Sequence, residues 1–184
     1  MILDLEMQQK LIDRLAPNRF SYMVGPLLYW IGRFVGAKYI AEVGIGNGYT
    51  AVHLAALAKL NGGRYVGIDI DKNLCLKVET VLLKLDLLDA SSIVWRASSK
   101  GLAENERPKD GFDLVFIDGN HRYKFVKKDA EVWGPYVRPG GLLVFHDIIK
   151  GGPKATFEEI KEGWTKLGIY VGCGLGILVK NPGQ

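Results

Sequence analysis

The 184-residue chain is poor in cysteine: Cys75 and Cys173 stand far apart, outside any metal-ligand spacing. That argues against a disulfide framework and fits a reduced, cytoplasmic setting. Long apolar runs are also missing. A membrane span needs roughly 20 such residues. The strongest lead, "VGPLLYWIGRFVGA", is broken by Pro26, Gly32 and Arg33 and reads as a core-packing helix. The opening "MILDLEMQQK" is acidic and amphipathic, unlike a signal peptide. Charge of one sign is in short supply too: the net charge is +4. Lys124, Lys127 and Lys128 form the densest basic group, with Asp129 and Glu131 beside them. That is a solvated helix face rather than a nucleic-acid patch. Repeats, linkers and low-complexity segments are absent, so the chain reads as one domain.

What is present alternates. Helices are expected over 2–15 and from Pro26 to Val35. Strands are expected at "KYIAEVG", "RYVGIDI", "SSIVWRAS", "FDLVFIDG" and "GLLVFHDI", with helices "YTAVHLAALAKL", "NLCLKVETVLLKLDL" and "YKFVKKDAEVWGPYV" between them. A glycine loop at Gly151–Gly152 leads into a last helix, "ATFEEIKEGWTKLG". "IYVGC" and "GILVKN" follow, joined by too few residues for a crossover helix, so they should pair antiparallel. Near-continuous apolar strands alternating with helices predict an α/β, doubly wound, mostly parallel sheet.

The chemistry begins at "EVGIGNGYT", a glycine loop between the first strand and a helix. In open α/β sheets this is the ligand crevice. Gly44 and Gly46 permit a tight turn and close approach of a ligand. Two features argue against a dinucleotide. The third glycine is Gly48, with Tyr49 where that fingerprint places its last glycine. Glu42 precedes the loop and would repel a pyrophosphate. It would favour a ligand carrying an ammonium and a sulfonium, as S-adenosylmethionine does. Asp69, which together with Ile70 ends the second strand 21 residues after Gly48, is placed to accept ribose hydroxyls. Asp71 reads as a helix N-cap. Ser98 and Ser99 fall where an adenine should lie, or serve as plain turn residues.

In "EVGIGNG", "GIDID", "FDLVFIDG" and "VRPGGLLVFHD" the chain resembles the class I S-adenosylmethionine-dependent methyltransferases over about residues 20–180. The resemblance implies a Rossmann-like sheet of seven strands with the last one antiparallel. "FIDGNHRYKFVKKDAEVW" with "RPGGLLVFHDI" looks closer to the small-molecule O-methyltransferases, including the catechol, caffeoyl-coenzyme A and macrolide-sugar types and the cephalosporin-hydroxylase-like proteins. In that group, acidic residues ending strands four and five hold a divalent cation. The implied ligands here are Asp118 and Asp147, with Mg²⁺ or a similar ion lowering the pKa of a substrate hydroxyl. Asp118 also stands where it could face the donor's ammonium.

The pattern departs from that group beside Asp147. Ile148 cannot ligate, and His146 should point to the opposite face of the strand unless the strand end bends. His121 is the candidate general base, or else a cap for the following helix. His53 reads as structural. Tyr123 is a candidate substrate contact and Asp129 a helix anchor. Tyr22, Tyr29 and Trp30 wall the substrate side or pack in the core.

The expectation is therefore a small-molecule methyltransferase. Residues 1–36 would form part of the substrate side, and residues 37–184 the cofactor-binding core. Nucleic-acid or protein methylation, and a non-catalytic donor-binding module, are the alternatives. Gly151 and Gly152 are a hinge or an ordinary loop. The N-terminal helix could pair two subunits or pack on its own domain.

Overall fold

The computed structural model describes residues 21–183. The expected helix over 2–15 and the side chain of Tyr22 lie outside the described residues.

The elements in chain order are α1 (Ser21–Phe34), β1 (Tyr39–Val43), α2 (Tyr49–Leu60), β2 (Arg64–Asp69), α3 (Lys72–Lys84), β3 (Ser91–Trp95), β4 (Phe112–Ile117), α4 (Tyr123–Trp133), β5 (Val137–His146), α5 (Gly151–Glu159), β6 (Trp164–Ile169) and β7 (Leu175–Lys180). The seven strands form one sheet in the order β3-β2-β1-β4-β5-β7-β6. Strands β1 to β5 pair in parallel, and β7 runs antiparallel to both β5 and β6. The order reverses between β1 and β4. Ligands of such sheets gather at that switch point, beyond the carboxyl ends of the strands.

Each face of the sheet has its own core. One is built around Leu28 of α1, Leu54 of α2 and Val78 of α3, packed on Leu114, Phe116 and Val144. The other joins Val126 and Trp133 of α4 and Phe157 of α5 to Val115, Ile117 and Phe145. Alternate residues of β4 therefore serve opposite layers, and all six residues of the strand are buried. Truncating Phe116 to Ala would cost roughly 3–5 kcal/mol, a large share of an ordinary domain's stability. The floor under the β4 and β5 ends is rigid for that reason. Asp113 ties the far end of the sheet. Its carboxylate accepts from the backbone N–H groups of Lys38 and Tyr39 at 2.8 and 2.7 Å and from Arg138 Nε at 2.6 Å.

Several expected boundaries change. The first described helix starts five residues before Pro26. Pro26 removes one helical hydrogen bond without ending the helix. Strand β5 starts at Val137 and ends at His146, so Asp147 lies just past the strand. The expected last helix overran: α5 stops at Glu159, and β6 occupies Trp164–Ile169 after a turn at Gly163 with φ +79°. The antiparallel hairpin is present, but its first strand lies about five residues earlier than "IYVGC". Gly151 and Gly152 open α5 instead of forming a loop before it. A Cβ on Gly152 would stand 2.4 Å from both His121 O and Tyr123 N, so glycine lets α5 abut the start of α4.

Candidate functional site

The glycine loop turns at the switch point between β1 and α2. Gly44 has φ +86°, and a Cβ there would lie 2.5 Å from Asp118 O. Only glycine lets the β1 end pass the β4 end so closely. Gly46, at φ +48°, has open space where a Cβ would be. Its N–H donates to Asp69 Oδ2 at 3.1 Å, while Asp69 Oδ1 accepts from the Asp71 N–H at 2.9 Å. Asp69 thus fixes the loop from the tip of β2. Asp71 caps α3 as expected, accepting from Asn73 N at 2.8 Å. Gly48 packs toward Val78 of α3 and does not line the cavity the loop encloses.

That cavity has a volume of about 590 Å³. It brings together all the expected donor-binding residues except Gly48: Glu42, Gly44, Gly46 and Tyr49 on one side, and Asp69, Ile70, Ser98 and Asp118 around the rest. Ile70 is 74% exposed at its mouth. Tyr49 is buried, with its ring edge-on to His53 at 5.0 Å. Ser99, Val24, Phe125 and Asp129 add to the lining. Ser98 Oγ donates to Asp129 Oδ1 at 2.5 Å, and Ser98 O accepts from Trp133 Nε1 at 3.1 Å. Asp129 does anchor α4, and it does so through Ser98 on the cavity wall. Burial raises the pKa of Asp129, with the Ser98 bond opposing.

Glu42 is only 1% exposed. Its carboxylate accepts from Tyr65 Oη at 2.5 Å. Burial pushes its pKa up to about 8, with the Tyr65 bond opposing and the charges of Asp118 and Asp69 adding to the rise. At neutral pH Glu42 is a neutral acid until a cation reaches it. Tyr65 was not expected from the sequence. Its ring crosses Gly67, where a Cβ would stand 2.6 Å from its hydroxyl.

Beyond the far rim stands a cluster of two carboxylates and two imidazoles. The β4–β5 register pairs Ile117 with Phe145, which puts Asp118 level with His146 rather than with Asp147. Asp118 Oδ1 accepts from His146 Nδ1 at 2.9 Å and from His121 Nε2 at 3.2 Å. His121 Nδ1 is 3.0 Å from Asp147 Oδ2. His121 therefore bridges the two carboxylates. Asp147 carries φ +59°, unusual for a residue with a Cβ, and this bend turns its side chain back to the cluster. His146 was expected on the opposite face from the site. It is instead inside it, lining the cavity, with Phe116 edge-on at 6.2 Å. Ile148 is buried in the core.

Charges follow contacts. Burial alone would raise the pKa of Asp118, but the bonds from His121 and His146 outweigh it and hold the carboxyl below its usual range. The Asp118 bond raises His121 despite partial burial. Burial works against charge on His146, and Asp118 overcomes it to leave a net rise. Cys173 lies in the β6–β7 turn; burial first and the neighbouring Asp147 second push its thiol up.

Other candidates stay outside. Tyr123 donates to Glu159 at 2.5 Å and accepts from Lys127, which staples α4 to α5 and keeps it out of the cavity lining. His53 bonds Tyr49 O at 3.0 Å, sits against Gly25, and has its pKa lowered by burial, all consistent with a structural role. Trp30 is 68% exposed and Tyr29 packs against the core; neither walls the cavity. Among the described residues no helix is long and apolar enough to cross a membrane.

The architecture has solved counterparts. The O-methyltransferase TomG of Streptomyces achromogenes, in complex with SAM, aligns with a TM-score of 0.68 at 22% identity over 85% of this chain and 79% of its own. A caffeoyl-CoA O-methyltransferase candidate of Staphylococcus aureus gives 0.77 at 17% identity over 96% and 91%. An O-methyltransferase of Bacillus cereus, in complex with SAH, gives 0.71 at 18% over 95% and 88%. At such identities the likeness establishes the fold. A segment of 38 residues is 45% identical to an uncharacterized protein of Acanthamoeba polyphaga mimivirus, spanning 21% of this chain and only 17% of that protein. A family model described as "Methyltransferase domain" matches residues 41–148, more than half of the chain. With its seven-stranded sheet and its glycine loop at the switch point, the chain belongs to this methyltransferase family.

Proposed function

We propose that the chain binds S-adenosylmethionine in the cavity over β1, β2 and β4 and transfers its methyl group to an oxygen of a small molecule. The observation that carries this reading is the placement of Glu42, Asp69, Asp118 and the open Gly46 around one cavity, with His121 outside its lining and held to Asp118 at 3.2 Å. The ribose would lie on Asp69, the adenine beside Ser98 and Ser99, and the ammonium between Glu42 and Asp118. The sulfonium methyl then points toward His121. Residues up to 36 form the acceptor side in this reading, consistent with Val24 of α1 on the lining.

The chemistry is an in-line displacement. The acceptor oxygen forms a bond to the methyl carbon, the carbon–sulfur bond breaks, and its electron pair stays on sulfur as the neutral thioether. The hydroxyl proton passes to His121. A neutral imidazole has one N–H, so only one of the two carboxylate contacts is then a hydrogen bond, and the unprotonated nitrogen acts as base once the ring turns it from its carboxylate to the acceptor hydroxyl. Once protonated, it can donate to Asp118 and Asp147 together, and that pair stabilises the imidazolium as it forms.

The resemblance also brings a Mg²⁺-like ion held by oxygens. The residues here fit it poorly. Asp118 Oδ1 already accepts from two imidazoles, Ile148 is in the core, and the other donors near Asp147 are nitrogen and sulfur. The reading is tested by calorimetric titration with S-adenosylmethionine and S-adenosylhomocysteine. Saturable binding is expected, and no binding at millimolar ligand overturns it.

A further inference from the structure

The poor match to Mg²⁺ has a positive side. His146 is 8% exposed, and its Nδ1 is held by Asp118 at 2.9 Å. Its other ring nitrogen, Nε2, is buried and meets no hydrogen-bond partner among the described residues. Asp147 Oδ1 is 3.7 Å away, too far for a hydrogen bond. A buried ring nitrogen without a partner is costly in an ordinary core. Ligand atoms of His146, Asp147 and Cys173 lie within 4.8 Å of one another. The β6–β7 hairpin brings in the cysteine, which sequence spacing alone could not connect to residues 146 and 147.

We propose that His146 Nε2, Asp147 Oδ1 and Cys173 Sγ form a site for a borderline divalent transition ion such as Zn²⁺ or Co²⁺, with Asp118 as the outer carboxylate that orients the histidine. One nitrogen, one oxygen and one sulfur suit such ions and not Mg²⁺. Three protein ligands leave a fourth position open to water or an acceptor oxygen. A histidine that binds metal through one ring nitrogen commonly donates the other N–H to a carboxylate, and Asp118 occupies that place. The bend at Asp147 divides its two oxygens: Oδ1 faces His146, and Oδ2 stays with His121. The ion and the bridging histidine can therefore coexist. Binding replaces the thiol proton, which is released to solvent. None of the three ligands is among the expected donor-binding residues, although His146 and Asp118 also line the donor cavity, so the ion is titrated without donor.

The test uses the full chain, stripped with chelator and titrated with Co²⁺ alone. A near-ultraviolet thiolate-to-cobalt charge-transfer band is expected, saturating at one ion per chain. Cys173→Ser should abolish the band, and Cys75→Ser should keep it. Asp118→Ala should weaken binding by roughly 10–100-fold. X-ray absorption of the unmutated, Zn²⁺-loaded protein should show one sulfur at about 2.3 Å, a readout that needs no variant to fold. A metal shell without sulfur overturns the proposal. So does displacement of Co²⁺ by excess Mg²⁺, which would mark an oxygen site at Asp118 and Asp147 instead.

Discussion

Replacing Glu42 by Gln is expected to stabilise the ligand-free protein and to weaken its hold on the methyl donor. Burial, with the charges of Asp118 and Asp69 adding to it, moves the Glu42 pKa from 4.5 up to about 8 against the Tyr65 bond. Between those values the folded state carries a proton that the unfolded chain has released. Stability from this group is thus complete below pH 4.5 and is lost as pH rises toward about 8. One proton changes stability by about 1.4 kcal/mol per pH unit. From 4.5 to neutral pH the loss reaches roughly 3 kcal/mol, an upper figure of the same order as a third of a typical domain's stability.

Glutamine has the shape of the neutral acid, accepts from Tyr65 in the same way, and never ionises. Urea unfolding of the two proteins, compared from pH 5 to pH 8, isolates the effect, because every other group titrates in both. The variant's advantage should grow with pH, reaching roughly 3 kcal/mol near neutrality. Donor binding should move the other way. An ammonium beside Glu42 draws off its proton, so the parent should release close to one proton per donor bound at pH 7 and the variant none. Calorimetry in buffers of different ionisation heat reads this directly. Loss of one hydrogen bond to a charged group, roughly 1.5–3 kcal/mol, predicts about 10- to 150-fold weaker binding. A stability difference that does not change with pH would refute the buried neutral acid.

Two further substitutions separate fold from site. Gly44→Ala puts a Cβ 2.5 Å from Asp118 O and should destabilise the fold, lowering the urea midpoint, whereas Gly46→Ala meets no atom, costs only the roughly 1–2 kcal/mol of a left-handed alanine at φ +48°, and should leave a folded protein with a methyl group in the donor cavity; equal loss of donor affinity per unit of lost stability in both would sink the distinction. His121→Ala should keep donor affinity and lower kcat by roughly 100- to 10,000-fold on any accepted hydroxyl, and a lowered affinity with unchanged kcat would move His121 from the chemistry to binding.

The frame was largely readable in advance. Strand–helix alternation and the six buried residues of β4 follow from apolar runs longer than a one-faced strand would carry. α2 matches its expected span, because Gly48 marks its start and Asn61 its end. What escaped were contacts made by tertiary geometry. Tyr65 reads as one more aromatic in an apolar strand; its bond to Glu42 depends on the β1–β2 register and on Gly67 leaving room for its ring. Cys173 is separated from Asp147 by α5 and β6, so no spacing rule connects them. The misplaced end of α5 has a local cause: "EEIKEGWTKLG" carries helix formers past Glu159, and the helix stops where the backbone of Ile160 turns extended, with the left-handed turn at Gly163 then leading into β6.

Alternation puts His146 and Asp147 on opposite faces of β5, and it is His146, not the expected Asp147, that faces Asp118. Glu42, Phe116 and Val144 share a face, and two more residues along β4 and β5 lead to Asp118 and His146. By parity alone, Glu42, Asp118 and His146 belong to one layer and Asp147 to the other. Asp147 joins them only because the strand has ended and its backbone turns to φ +59°. The histidine is thus the regular member of the site and the aspartate the exception. A second acidic residue at 146 would face Asp118 directly and need a cation to offset the repulsion. A histidine there neutralises Asp118 itself and leaves Nε2 as the group with an unmet need. This one position decides whether the strand ends demand a hard ion between oxygens or offer nitrogen and sulfur to a softer one.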